Sequence, residues 1–160
     1  MLTVNVDDAA FRTYLRDLQD RLGDLTPVMD TIGQAIVQNA KGRFETRTDP
    51  NGEPWKPWAP STRRTYPFAG TPAAAGPDGA GNGRLLDRYG TMLSGLNHQA
   101  NSDSVRIGFA EPYATYHEYG TRKMPRRGLL MGDPNAVTLG ATDEAAVIDI
   151  LGAWVANLGN

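Results

Sequence analysis

The chain contains no cysteine. Disulfides, iron–sulfur clusters, cysteine-bound zinc and thiol catalysis are excluded together. The absence fits assembly in a reducing cytoplasm. Long apolar runs are also missing. None approaches the roughly 18–20 residues that cross a membrane, so no membrane partner is expected. The opening Met-Leu-Thr-Val-Asn-Val-Asp-Asp has no basic stretch followed by an apolar one, which predicts no signal peptide. Histidine is scarce, with His98 and His117 nineteen residues apart. His117-Glu118 opens like a zinc-protease motif, but Thr121 stands where the second histidine is needed. Ser94 lacks the flanking glycines of a nucleophile elbow. Glycines 76, 79, 81 and 83 follow no apolar strand and precede no Gly-Lys-Ser or Gly-Lys-Thr, so they predict a linker and not a phosphate loop. The residues converge on no reaction, and no enzyme, metal or cofactor is expected.

What is present suits one small domain over residues 1–160. Apolar residues make up 40% and charged residues 21% of the 160, enough for a modest core. The net charge of −2 hides a polarised chain. Residues 1–40 carry −3, 41–66 carry +3, 84–127 carry +3, and 128–160 carry −4 with no cation at all. Acidic ends and a basic middle suit head-to-tail association or an acidic partner, although solvated helix faces give the same pattern.

Periodicity places the elements. Residues 2–6 alternate and read as a short strand. Phe11, Leu15, Leu18, Leu22 and Leu25 form one stripe of a helix over about 7–23, capped by Asp7 or Asp8. Thr26-Pro27 is a second start, with Thr26 as cap, and Ile32, Ile36, Ala40 and Phe44 carry a helix over 27–45. From Arg47 to Gly83 the pattern dissolves into seven prolines and six glycines, which predicts a flexible insertion at about 47–83. Leu85, Leu86, Tyr89, Leu93 and Leu96 predict a third helix. Residues 104–109 alternate as a strand, with 98–100 as its hairpin partner across Asn101-Ser102-Asp103. Glu111-Pro112 opens a short helix with Tyr113, Tyr116 and Tyr119 on one face, stopped by Gly120. Leu129-Leu130-Met131 reads as a strand, and Ala141–Leu158 as a last helix with Thr142 as its cap and Asp143 and Glu144 at its positive end.

Two constellations stand out. In the first, Asp49-Pro50-Asn51-Gly52 turns the chain back after Phe44, so that Trp55 and Trp58 cover an apolar surface. One tryptophan is expected in the core and the other at a subunit interface. In the second, the tyrosine helix is followed by Arg122, Lys123, Arg126 and Arg127. These four cations could meet phosphates, pair with an acidic neighbour, or simply be solvated. No aromatic interleaves them and no nucleic-acid motif surrounds them.

At these residues the chain resembles the phage virion morphogenesis family, the tail-completion proteins of Mu-like and related tailed phages. The likeness runs in order. It comprises a helical pair ending in Phe44, then Asp49-Pro50-x-Gly52-x-x-Trp55 and Ser61-Thr62. Leu85-x-x-x-x-Gly90-x-x-Leu93-x-x-Leu96 follows, then Val105-x-Ile107-Gly108, Tyr113-Ala114-x-x-His117-x-x-Gly120, Pro125-Arg126 and a C-terminal helix. Tyr89 stands where the family usually has threonine. The resemblance implies a structural virion protein, made in the host cytoplasm and located at the head–tail neck. It implies a ring of copies, six being the expected number, that joins the tail tube to the head connector.

The expected fold is α+β. N- and C-terminal helices pack on a small, mostly antiparallel sheet containing 2–6, about 97–101, 104–110 and about 128–132. Candidate subunit-interface residues are Trp55, Trp58, Tyr113, Tyr116, Arg126 and Arg127. Arg122, Lys123, Arg126 and Arg127 are candidates to line a channel around packaged DNA, without reading its sequence. The alternative is a small DNA-binding module acting through the 122–127 cluster.

Overall fold

A computed structural model describes residues 2–4, 9–65, 85–86 and 89–157. The order of elements is β1 (Leu2–Val4), α1 (Ala9–Leu22), α2 (Thr26–Thr46), α3 (Pro60–Thr65), α4 (Thr91–Ser94), β2 (Leu96–Ala100), β3 (Val105–Phe109), α5 (Ala114–Tyr119) and α6 (Ala141–Asn157). The arrangement is α+β, with helices at both ends.

Helix α2 is the spine. Val28, Met29, Ile32, Ile36, Val37, Ala40 and Phe44 recur at helical spacing and are all buried. Its start differs from the expected Thr26 cap. Asp24 does that work, its Oδ1 accepting the Thr26 N–H at 2.9 Å and the Thr26 hydroxyl at 2.6 Å. These bonds, the hydroxyl's foremost, hold the Asp24 carboxyl below its ordinary range. Thr26 itself lies inside the helix.

The sheet is antiparallel in the order β1-β3-β2. Leu96 pairs with Phe109, His98 with Ile107 and Ala100 with Val105. Side chains alternate across a strand, so these six share one face, and α2 packs on it. Asn97, Gln99 and Arg106 are exposed on the other face. The close approach of α2 to β2 needs a glycine. A Cβ at Gly33 would lie 2.3 Å from His98 Cδ2. His98 Nε2 in turn bonds Asp30 Oδ1 at 2.8 Å, across the same contact.

Two expectations are corrected. The fourth strand is absent: 128–132 forms no ladder, because its backbone N–H groups are taken by a side chain described below. The third helix shrinks to Thr91–Ser94. Gly90 stands at φ 76° and Leu86 at φ 70°, which breaks the helical path on the near side, and Leu96 begins β2 on the far side. Of the long insertion, 47–65 is described, and its part up to Trp58 lies against the domain; the linker predicted at 67–83 lies outside the described residues.

Glycines offer a direct check on this packing. An alanine Cβ at Gly140 would sit 2.3 Å from the Pro50 carbonyl oxygen, a backbone atom with little room to move. Gly42, inside α2, has nothing within 4 Å of such an atom. Gly140→Ala is expected to destabilise the fold by roughly 1–3 kcal/mol. Gly42→Ala is expected to stabilise it by about 0.5–1 kcal/mol, the helix-interior difference between the two residues. Urea denaturation of both variants checks the pair.

Candidate functional site

The two constellations meet in one place. Helix α2 ends at Arg47, which takes the left-handed conformation at φ 59° and returns its N–H to Arg43 O at 2.7 Å. The chain then reverses. Asp49 Oδ1 accepts the N–H groups of Asn51 at 2.8 Å and Glu53 at 2.9 Å, and Gly52 takes φ 86°. This turn brings Trp55 back over Phe44, ring edge to ring face at 5.4 Å. Trp55 is buried, and its indole N–H donates to Gly128 O at 2.9 Å. Trp58 is half-buried against the same core.

Helix α5 supplies the centre. Ala114 and Glu118 lie four residues apart on its inner face, and both are fully buried. Glu118 Oε2 accepts the N–H groups of Leu129 at 2.9 Å and Leu130 at 2.8 Å. Its Oε1 accepts the Met131 N–H at 3.3 Å and Arg126 Nη2 at 3.1 Å. One carboxylate therefore satisfies three consecutive backbone donors that would otherwise be buried unpaired.

The cations close the knot. Arg126 Nε donates to Glu118 O at 2.9 Å, Nη2 donates to Met131 O, and Nη1 lies 3.7 Å from Asp49 Oδ2. Arg127 is buried; its Nε donates to Lys56 O at 2.7 Å and its Nη2 to Pro57 O at 3.1 Å. It thus straps down the segment that carries Trp55. From α2, Arg43 donates to Leu129 O at 2.9 Å and forms a buried ion pair with Asp143 of α6. Asn39 also donates to Asp143, at 3.0 Å. Asn51 bridges the turn to Gly132 O and to the Ala141 N–H.

Trp55, Arg126 and Arg127, predicted as candidates for contacts outside the protomer, are thus brought together inside it. The remaining candidates lie elsewhere. Tyr113, Tyr116 and Tyr119 are exposed on α5, on the side away from Glu118. Arg122 and Lys123 are exposed in the turn that follows. Burial, aided by Glu111, raises the Tyr113 phenol above its ordinary value.

His117 belongs to the same region. Its imidazole is pushed down to about 4, mainly by burial and secondly by the Arg127 charge. Its Nδ1 is buried without a hydrogen-bond partner. Among the described residues no three His, Asp or Glu side chains gather as a metal site. What this arrangement does chemically is hold backbone to backbone.

Sequence reading missed the part played by Glu118, although a signal existed. If three tyrosines share the outer face of α5, Ala114 and Glu118 share the inner one, and a carboxylate there needs donors. Arg43 carried the same kind of signal, falling on the buried stripe of α2 beside Ala40 and Phe44.

This is the anatomy of a domain whose buried polar groups fix its own loops, while Tyr113, Tyr116, Tyr119, Arg122 and Lys123 stand outside. Compared with the sequence patterns of known families, residues 6–156 match the phage virion morphogenesis family. The match spans nearly the whole chain, and the chain belongs to that family. No curated protein and no solved structure matches it. The protein is therefore virion-associated, with a structural or assembly role. No helix among the described residues is long and apolar enough to cross a membrane.

Two outcomes are expected from this geometry. Glu118→Gln replaces an acceptor by an amide N–H₂ facing donors and leaves Arg126 without its buried counter-charge. A loss of about 3–5 kcal/mol is expected in urea denaturation. His117 is neutral in the folded state and binds its proton more readily when unfolded. Stability is therefore fully present above pH 6.5 and falls as pH drops toward 4. Allowing for its partial exposure, the loss is about 2 kcal/mol. His117→Leu should flatten this part of the pH profile, measured as urea midpoints between pH 7 and 4.

Proposed function

We propose that the protein is a subunit of the head–tail neck, a tail-completion or tail-terminator-like component. Copies form a ring, six being the expected number, that joins the tail tube to the head connector. Family membership over residues 6–156 carries this reading. The site supports it, because the clustered titratable groups Glu118, Arg126, Arg127, Arg43 and Asp143 bind one another and the backbone. None of them is left facing a substrate, and the protein acts by assembly and not by catalysis.

Exposure sorts the candidate contacts. Tyr113, Tyr116, Arg122 and Lys123 are available for a neighbour, whereas Trp55, Arg126 and Arg127 support them from within. Arg122 and Lys123 also suit weak, sequence-independent contact with packaged DNA in a ring that surrounds its path. A free-standing DNA-binding module is the weaker reading, since only two of its four cations are exposed.

Particles made without this chain decide the matter. DNA-filled heads and separate, unjoined tails are expected under the electron microscope, with joining restored by adding purified protein. Complete particles assembled in its absence would overturn the neck assignment.

A further inference from the structure

The outer surface of the domain carries two unlike apolar patches that nothing among the described residues covers. The first is the tyrosine face of α5. Tyr113, Tyr116 and Tyr119 are 39%, 59% and 51% exposed. The patch is bipolar: Glu111 precedes it, and the exposed Arg122 and Lys123 follow it.

The second is a cleft of about 1170 Å³ between α1, β3, the 136–139 loop and α6. Tyr14, Val137, Ile148 and Val155 line it and are exposed, above a floor that includes Leu15 and Ile107. Its volume exceeds the roughly 300–1,000 Å³ of small-molecule sites and suits a protein segment. Val137 adds an independent mark. It holds φ 55°, a left-handed conformation that a β-branched residue avoids, in a turn pinned by Asp133 through the N–H groups of Asn135 and Ala136. Backbone strain of this kind gathers where a side chain must be presented.

Charge identifies the occupant. The α6 wall of the cleft carries Glu144; the exposed Asp149 follows Ile148 on the same helix, outside the lining, and residues 128–160 contain no cation. The facing wall carries Arg12 and Arg106 besides Asp103. The bipolar tyrosine patch complements these walls in one orientation, with Arg122 and Lys123 toward α6 and Glu111 toward Arg106. None of residues 113–124 lines the cleft, so one molecule can offer its patch while its own cleft receives another.

We infer that the tyrosine face of α5 docks into the α1–α6 cleft of a second copy of this chain, head to tail. Such a contact is heterologous and generates a ring when its rotation closes. Tyrosine and arginine are enriched at the centre of such contacts. The inference rests on the assembly reading above and adds to it the surface and its polarity.

Sedimentation velocity of the purified chain over a concentration series tests it. The two pairs of substitutions are Arg122→Glu with Lys123→Glu, and Glu144→Lys with Asp149→Lys. All four side chains are exposed, so the fold is expected to survive. Each pair alone should weaken self-association about tenfold or more, because like charges then face each other. All four substitutions in one chain should restore it. A photo-crosslinking amino acid at Tyr116 should bond to residues 136–155 of another copy. Self-association unchanged by either pair, or crosslinks elsewhere, would overturn the pairing and leave the assembly reading standing. A wild-type chain that remains monomeric throughout overturns the pairing too, while the neck assignment is judged separately by particles lacking the chain.

Discussion

A carboxylate taken out of water must have its lone pairs filled by donors, or the fold that buries it fails. Glu118 meets that condition with the N–H groups of Leu129, Leu130 and Met131 and with Arg126. The constraint works in both directions. The three N–H groups, lying beneath buried apolar side chains, need an acceptor as much as Glu118 needs donors. Once this bond set forms, the path of 126–132 is fixed, and Leu129, Leu130 and Met131 are delivered to the core together. Arg126 then reaches Asp49 and meets the turn at the end of α2, while Arg127 holds the segment behind Trp55. Much of the irregular chain is ordered by one side chain on a six-residue helix.

A second buried pair extends the network. Arg43 and Asp143 join α2 to the start of α6, and Arg43 also donates to Leu129 O beside the Glu118 cluster. A buried ion pair adds little net stability compared with apolar packing, but a wrong alignment would leave either charge uncompensated. In a domain with a lean core, such pairs select one arrangement among the many that would bury similar apolar area. The aromatic contact of Phe44 with Trp55 and the tight approach of Gly140 to Pro50 fill the space between them.

This construction suits a virion component. Rigid interior loops let a short helix present Tyr113, Tyr116 and Tyr119 at a fixed angle, and preorganisation lowers the ordering cost of assembly. The distribution of charge follows the same logic. Of the cluster at 122–127, Arg126 and Arg127 stabilise the protomer, and Arg122 and Lys123 stay outside. The acidic character of 128–160 is likewise divided, with Asp143 buried and Glu144 and Asp149 exposed.

Several features were legible from residues alone, and for a local reason. The stripe of α2, the β2–β3 hairpin, the Asp49-Pro50-Asn51-Gly52 turn and the tyrosine face of α5 are set by periodicity and by dihedral preference within a few positions. The order of motifs likewise identified the family. What the residues could not decide were matters of partnership. Leu129-Leu130-Met131 has the composition of a strand, and whether its N–H groups go to a neighbouring strand or to a carboxylate depends on which element folds beside it. Arg126 and Arg127 look like any exposed basic pair until Glu118, Asp49 and the carbonyls of Lys56 and Pro57 arrive from segments 8 to 77 positions away. Sequence pattern governs what lies within a few residues along the chain, where backbone geometry dictates distance. The destination of a buried charge is settled only when the tertiary structure removes its water and leaves one set of partners within reach.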